Sequence, residues 1–398
     1  MSVDPWLTIV GLGEDGPDGL PPASRKALED AEVVMGAARH LSLLPQITAE
    51  TVTWPVPFAD GLTLLLEKRG RQTVVLASGD PFWHGAGGSL TKHLEPGEWR
   101  SLPAPSTMSL AAAALGWPLE STTTMGLHAA PFARLRPHLA NGARAIVTLR
   151  DGDAASDFTA WLTGIGFGES TLHVLEALGG PRQRIRQTAA QEMTFTDITH
   201  PVSVAIEAQG GPALTTASGR ADTFFDNDGQ ITKRPVRALT LSALAPLPGE
   251  HLWDIGGGSG SIAIEWLLAH PRTRATSVEI NADRAARIKA NAASLGADRL
   301  NVVTGAAPEA LAGLDAPDAV FIGGGISEEM LQTVWQQMPE GARLVANAVT
   351  LEAEVLLANW QAQNGGDLLR IELAHANPLG RKRGWKSAYP IVQWSVTK

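Results

Sequence analysis

The stretch that decides the fold is WDIGGGSGS, Trp253 to Ser261, in which an acidic strand end runs through four glycines into a helix. Gly256, Gly258 and Gly260 allow a tight turn and a close backbone approach to a ligand, with no Cβ in the way. A dinucleotide fingerprint needs Gly or Ala where this chain has Ser261, so the loop favours a different adenosine-bearing ligand. The next strand, TSVEI, closes on Glu279, a carboxylate suited to accepting both hydroxyls of a ribose. Asp254 falls beside the other end of such a ligand, and the loop Gly305-Ala306-Ala307-Pro308 follows the third strand, where an adenine would be gripped. A glycine-rich turn by itself also serves to pack a helix on a sheet. The acids at matching strand ends turn the reading toward a site.

Working outward, Arg234 to Leu244 reads as a helix with Pro235 in its first turn, His251 to Ile255 as a strand and Ser261 to Ala269 as a helix. Ala275 to Ile280, Leu300 to Thr304 and Ala319 to Ile322 read as strands, with a helix over Ala282 to Leu295. That alternation predicts a doubly wound parallel sheet with its ligand at the carboxyl ends of the strands. Toward the N-terminus, Leu7 to Val10, Val33 to Met35, Thr73 to Ala77, Ala145 to Leu149 and Val202 to Ile206 read as buried strands. Pro22 to Asp30 and Ser109 to Leu115 read as helices between them. The segment Gln209 to Gly229 is rich in Gly, Ser, Thr and Asp, loses the alternation, and is the candidate connection between two α/β domains.

The 398 residues carry no cysteine, which excludes disulfides, thiolate metal sites and a cysteine nucleophile, and a cytoplasmic setting is expected. Ten scattered histidines give no zinc motif, so no metal is expected. A net charge of -9 argues against general affinity for nucleic acid. No apolar run approaches the roughly 18 residues a membrane span needs, and MSVDPWLTIVGLG has no charged segment leading into a long apolar one, so neither a membrane span nor a secretory signal is expected.

From ITKRPVRALTLSAL (231–244) through DIGGGSGS, VEIN (278–281), VFIGGG (320–325) and RLVANAVT (343–350), the chain resembles the decarboxylating precorrin or cobalt-precorrin C-15 methyltransferases, a class I methyltransferase family. The family carries Cys or Gly at the position of Gly257 and Thr at that of Ser259, so the departures are small. The resemblance implies S-adenosylmethionine held by Thr232, Asp254, Gly256, Gly257, Gly258, Ser259, Gly260, Glu279, Ala306 and Ala307.

Three N-terminal motifs, IVGLGEDG (9–16), LASGDPFWHG (76–85) and APSTMSLAAAALG (104–116), are each no more than a strand-to-helix turn when taken singly. In this order they resemble the class III tetrapyrrole methylases, which implies a second S-adenosylmethionine near Gly11, Gly13, Asp80, Ser106 and Thr107. Asp80 equally suits a carboxylate bonded to its own turn. VLEALGGPRQRI (174–185) is similar to the precorrin C-5 methylase branch, although Leu127-His128 is followed by Ala129-Ala130 where that branch commonly has Gly-Arg.

The expected fold is α/β throughout: a two-lobed tetrapyrrole methylase domain over residues 1–210, then a Rossmann-like class I methyltransferase domain over 211–398. The paired resemblances imply methylation of a precorrin at C5 and C15 with loss of the ring C acetate as carbon dioxide, on the route to cobalamin. One cofactor per domain is implied, with a tetrapyrrole partner, no nucleic acid, no membrane, and a homo-oligomer, as a tetramer through the C-terminal domain. An acidic chain repels a polycarboxylate unless its cleft is locally positive. Candidates for that charge are Lys233, Arg234 and Arg237, and Arg381, Lys382, Arg383 and Lys386, each run equally readable as solvated surface. Asn347 is a candidate to face the reacting ring, or a capping residue. An NAD-dependent oxidoreductase and a tetrapyrrole carrier with degenerate pockets stand as the alternatives.

Overall fold

Every residue of LTIVGL, Leu7–Leu12, is buried, as expected of a strand covered on both faces, where apolar residues run on without alternation. The computed structural model describes residues 5–398; the first four residues of the leading stretch read above lie outside the described part. Two compact units emerge, one of residues up to 130 with 138–213, the other of 131–137 with 214–398.

In the first unit, β1 (Leu7–Leu12), β2 (Val33–Gly36), β3 (Glu50–Thr53), β4 (Thr73–Ser78) and β5 (Trp99–Leu102) form a parallel sheet in the order β3-β2-β4-β1-β5. A second lobe contains β6 (Thr123–Gly126), β7 (Arg144–Leu149), β8 (Thr171–Glu176), β9 (Arg184–Ala189) and β10 (Val202–Glu207), ordered β6-β7-β10-β8-β9 and antiparallel except for β6 with β7. The expected strands and both expected helices are present, and β3, β5, β6, β8 and β9 are additions. In β9, RIRQTA, the more exposed face carries Ile185 and Gln187 and the other carries Arg184 and Arg186, whose buried partner is Glu176, so the apolar signal is missing.

The second unit holds β11 (His251–Ile255), β12 (Arg274–Glu279), β13 (Asn301–Thr304), β14 (Ala319–Ile322), β15 (Arg343–Ala348), β16 (Asp367–Ile371), β17 (Ala374–Leu379), β18 (Lys382–Ser387) and β19 (Ile391–Thr397). Its main sheet runs β13-β12-β11-β14-β15-β19-β16, parallel through β15 and antiparallel beyond. The chain order reverses between β11 and β14, the switch point at which open α/β sheets bind ligands. β17 and β18 make a separate hairpin. Trp335, Trp360 and Trp394 pack with ring centroids 6.1–6.2 Å apart against the antiparallel end of the sheet.

The expected connection, Gln209 to Gly229, is not a free linker. Leu214 and Phe225 are buried in the second core, and the Glu265 carboxylate accepts the main-chain N–H groups of Gly219 (2.8 Å) and Arg220 (2.9 Å). Arg237 donates to Glu265 at 2.7 Å with both side chains fully buried, and donates also to Asp222 at 2.9 Å and to the carbonyls of Arg220 and Thr232. Removing one partner of such a pair strands a buried charge at a cost of about 3–5 kcal/mol. Glu265→Ala should lower the stability of the C-terminal unit by that amount in urea unfolding; a change below about 1 kcal/mol would show that water reaches Arg237.

Candidate active sites

In the C-terminal unit the glycine loop leaves β11 at the switch point and enters the helix Ser261–Ala269. A Cβ on Gly257 would stand 2.1 Å from Ser277 Oγ, and Gly260 combines a φ of 75° with a Cβ position 2.7 Å from Ile288. Each is a place where the backbone comes too close for a side chain. Glu279, at the end of β12 and 4% exposed, accepts the Gly258 N–H at 2.9 Å and the Asn281 N–H at 3.0 Å. One carboxylate therefore holds the loop while lining a cleft of about 550 Å³.

Thr232, Lys233, Gly256, Gly257, Gly258, Glu279, Ala306, Ala307 and Asn347 all line this cleft, together with Gly323–Gly325 after β14. Ser259, Gly260 and Asp254 lie behind the lining: Ser259 and Asp254 are each 1% exposed. Asp254 Oδ2 accepts the Ser277 hydroxyl at 3.2 Å, whereas Oδ1 is buried without a hydrogen-bond partner among the described residues. Arg284 and Gln230, which the sequence reading missed, also line the cleft, Arg284 paired with Asp228 at 2.9 Å. Their signal is weak, because an arginine in a polar helix and a glutamine in a loop look like solvent-facing residues.

Among the substrate-facing expectations, that for Arg237 is corrected. Arg237 is 0% exposed and its guanidinium is committed to Glu265, Asp222 and main-chain carbonyls, so it is a structural cation and not a cleft residue. Arg381 and Lys382 stand exposed at the turn of the β17–β18 hairpin, outside the cleft lining. Asn347 is held by two partners, donating to Thr240 Oγ1 at 3.0 Å and accepting from Gln393 at 2.9 Å.

In the N-terminal unit the three motifs meet at one glycine. A Cβ on Gly11 would lie 1.9 Å from the Gly79 carbonyl oxygen and 2.5 Å from the Ala104 nitrogen, while Ala104 N–H donates to Gly79 and Gly79 N–H to Leu12. Gly11 therefore lets the three strand-end loops touch, and is not itself in the lining of the cleft they form. Gly13, Ser106 and Thr107 do line that cleft of about 630 Å³, and Ser106 caps the helix Thr107–Leu115 by accepting the Ser109 N–H at 3.1 Å. Asp80 is corrected: its carboxylate accepts the Phe82 N–H at 2.8 Å, tying its own turn, and it does not line the cleft. Glu14 and Ser78, which fall within the first two motifs, line it, as do Arg39, His40, Arg150 and His200, which no motif marks.

Burial, helped by the Glu279 charge and opposed by the Ser277 hydroxyl, pushes the Asp254 carboxyl up to about 7 from its ordinary 3.8. A raised folded-state value penalises the carboxylate in the folded chain, so stability that is complete below about pH 4 is lost as pH rises toward 7. Asp254→Asn should thus match the parent near pH 4 and exceed it near pH 8 by on the order of 4 kcal/mol in urea unfolding without cofactor. A difference that does not change with pH would assign the titration elsewhere.

Residues 6–194 match the tetrapyrrole (corrin/porphyrin) methylases, and residues 223–398 match the precorrin methyltransferase domain. A Sinorhizobium precorrin-6Y C(5,15)-methyltransferase [decarboxylating] is 49% identical over 100% of this chain and 97% of its own. A protein of the same name from Mycobacterium tuberculosis is 38% identical over 98% of this chain and 100% of its own. A cobalt-precorrin-6B C(15)-methyltransferase (decarboxylating) from Salmonella typhimurium is 30% identical over 40% of this chain and 85% of its own. With that identity sustained from end to end, and with a glycine-loop cleft in each unit, the chain belongs to the decarboxylating precorrin-6Y C(5,15)-methyltransferase family.

Proposed function

We propose that this chain uses S-adenosylmethionine to methylate a precorrin at C5 and C15 and removes the ring C acetate as carbon dioxide, in cobalamin biosynthesis in the cytoplasm. The observation that carries the reading is the presence of two separate clefts, one where three loops converge at Gly11 and one where a glycine loop closes on Glu279. Each takes one cofactor, and the domains divide near residues 209–229. The N-terminal unit methylates C5; the C-terminal unit methylates C15 and decarboxylates. A homo-oligomer formed through the C-terminal unit belongs to the same reading, which light scattering of the intact chain tests.

The residues present suit that cofactor in the C-terminal cleft. Gly257 lets the loop pack directly on Ser277 and Ile288, Glu279 faces the cleft with a carboxylate fixed by two N–H donors, and Asp254 keeps one oxygen without a partner beneath it. When bound, S-adenosylmethionine supplies an electrophilic methyl group on a sulfonium. The chain then needs no nucleophile of its own, and its task is placement, which supplies on the order of 7–11 kcal/mol of such a barrier. Val236, Ile255, Val278, Met330 and Ile391 give the cleft apolar walls that keep water from the reacting centre. In this reading Asn347, held by Thr240 and Gln393, is the residue that orients the acetate carboxylate. As that carbon–carbon bond breaks, its electron pair passes into the conjugated macrocycle, and a proton from solvent completes the methyl group left behind.

Calorimetric titration of S-adenosylhomocysteine into the full chain should report two sites. Glu279→Ala should weaken one by roughly 1.5–3 kcal/mol, the worth of a charge-assisted hydrogen bond, and leave the other unchanged. A carrier with degenerate pockets, or an NAD enzyme, gives no such pair.

Product masses test the division of labour. Thr107→Trp, which fills the N-terminal cleft, should yield a product methylated once and decarboxylated. Glu279→Ala should suppress decarboxylation and C15 methylation together. Decarboxylation lost with Thr107→Trp and kept with Glu279→Ala would reverse the assignment.

A further inference from the structure

Behind the C-terminal cleft three buried polar side chains close a ring of hydrogen bonds. Asn347 on β15 and Gln393 on β19 are direct cross-strand partners, and Thr240 reaches them from the helix Arg234–Leu244. Thr240 Oγ1 accepts Asn347 Nδ2 at 3.0 Å and Gln393 Nε2 at 3.0 Å, and Gln393 Nε2 also donates to Asn347 Oδ1 at 2.9 Å. Of the three, Asn347, 9% exposed, lines the cleft; Thr240 and Gln393, 0% and 3% exposed, stand behind it. Their neighbours form the wall in front of them: Val236 lies one helical turn before Thr240, and Ile391 two residues before Gln393 on the same face of β19.

An amide side chain can be turned over, exchanging its oxygen and nitrogen, and the network around it decides which way it lies. The Thr240 hydroxyl has one proton and two acceptor sites. With both amide nitrogens toward it, the hydroxyl accepts two N–H groups and Gln393 has a second N–H for Asn347 Oδ1, so every contact joins a donor to an acceptor. Turning Asn347 alone sets nitrogen against nitrogen across the strands. Turning Gln393 alone sets oxygen against oxygen there. Turning both leaves two carbonyl oxygens competing for one hydroxyl proton. One arrangement therefore satisfies the ring, and burial makes the others costly. It leaves one Asn347 N–H outside the ring. A carboxylate is attracted by that N–H, whereas the amide turned over would present its carbonyl oxygen from the same place and repel it.

We propose that Thr240 and Gln393 are positioning residues for the C-terminal chemistry: they lock the Asn347 amide so that its second N–H donates to the acetate carboxylate, while they themselves touch neither substrate nor cofactor. The inference rests on the reading that Asn347 orients that acetate.

The test is a double-mutant cycle in the full chain, read as carbon dioxide released and as the affinity for S-adenosylhomocysteine. Thr240→Val keeps the shape and removes the hydroxyl. It should lower kcat for decarboxylation about tenfold or more, leave both Kd values within about twofold of the parent, and be largely restored by Thr240→Ser. Added to Asn347→Ala, the same change should cost less than about twofold more, because the residue through which it acts is gone. A loss of about tenfold on top of Asn347→Ala would show that Thr240 acts on the site independently of Asn347 and overturn the positioning role. So would a Thr240→Val chain that releases carbon dioxide at the parent's rate. Should Thr240→Val fail to fold, Gln393→Leu breaks two sides of the ring and is read in the same cycle. If Asn347→Ala alone decarboxylates at the parent's rate, the reading of Asn347 falls and the inference with it. A parent chain that releases no carbon dioxide sinks the precorrin reading itself, and both with it.

Discussion

The buried contact between Glu265 and Arg237 governs the C-terminal half of the chain. Glu265 sits in the helix that the glycine loop feeds, and Arg237 in the helix Arg234–Leu244 that precedes β11. Between them they hold Gly219, Arg220, Asp222 and Thr232, so a segment whose one regular element is the 3-10 turn Asp222–Phe224 is fixed against two helices. That segment continues through Gln230 to Lys233, which form one wall of the cleft. A buried ion pair is worth little when compared with a well-packed apolar substitute. Its consequence here is positional: four of the six hydrogen bonds that the pair makes with other residues go to main chain, which fixes the wall.

The parts of this architecture legible in the sequence were those with a periodic or apolar signature. β11, β14 and the helix Ser261–Ala269 have the bounds that the hydrophobic runs predict, and the acids at the ends of β11 and β12 lie together because parallel neighbours bring strand ends to the same side. Arg237 illustrates the opposite case. In KRPVR it reads as one of several surface cations, but helical spacing turns it to the inner face while Lys233 and Arg234 stay outside. The clue lay elsewhere, in SIAIEWLLA, where a lone glutamate among apolar residues has to find a buried cation. Composition also misled over 209–229, because polar turn residues there bond to a buried carboxylate instead of water. Arg39 and His40 left no trace, since a pair of polar residues after a strand has no spacing that separates a site from a turn.

The two clefts solve the same problem by different means. In the C-terminal unit a single loop is curled around one carboxylate, with Glu279 taking the Gly258 N–H. In the N-terminal unit the loops after β1, β4 and β5 come into direct main-chain contact, and the absence of a side chain at Gly11 makes the contact possible. Both exploit the carboxyl ends of parallel strands, where successive loops converge without crossing. The first arrangement rests on one side chain; the second rests on main-chain contact among three loops.

Charge placement follows from the same geometry. A chain with a net charge of -9 meets a polyanion only where local fields are reversed, and focusing is strongest in concave sites with low-dielectric walls. The exposed basic hairpin of β17 and β18 is poorly suited to that task, because cations standing in solvent are screened within about 8 Å at physiological salt. Arg39 is different: it is held inside the N-terminal cleft, its partner Glu14 is shared with Arg182, and the field of the remaining charge acts across a partly desolvated space. Arginines held in ion pairs can therefore still carry the attraction, provided that one carboxylate serves two of them. The count of charges along the chain sets its solubility; the stoichiometry of its buried ion pairs sets what its clefts admit.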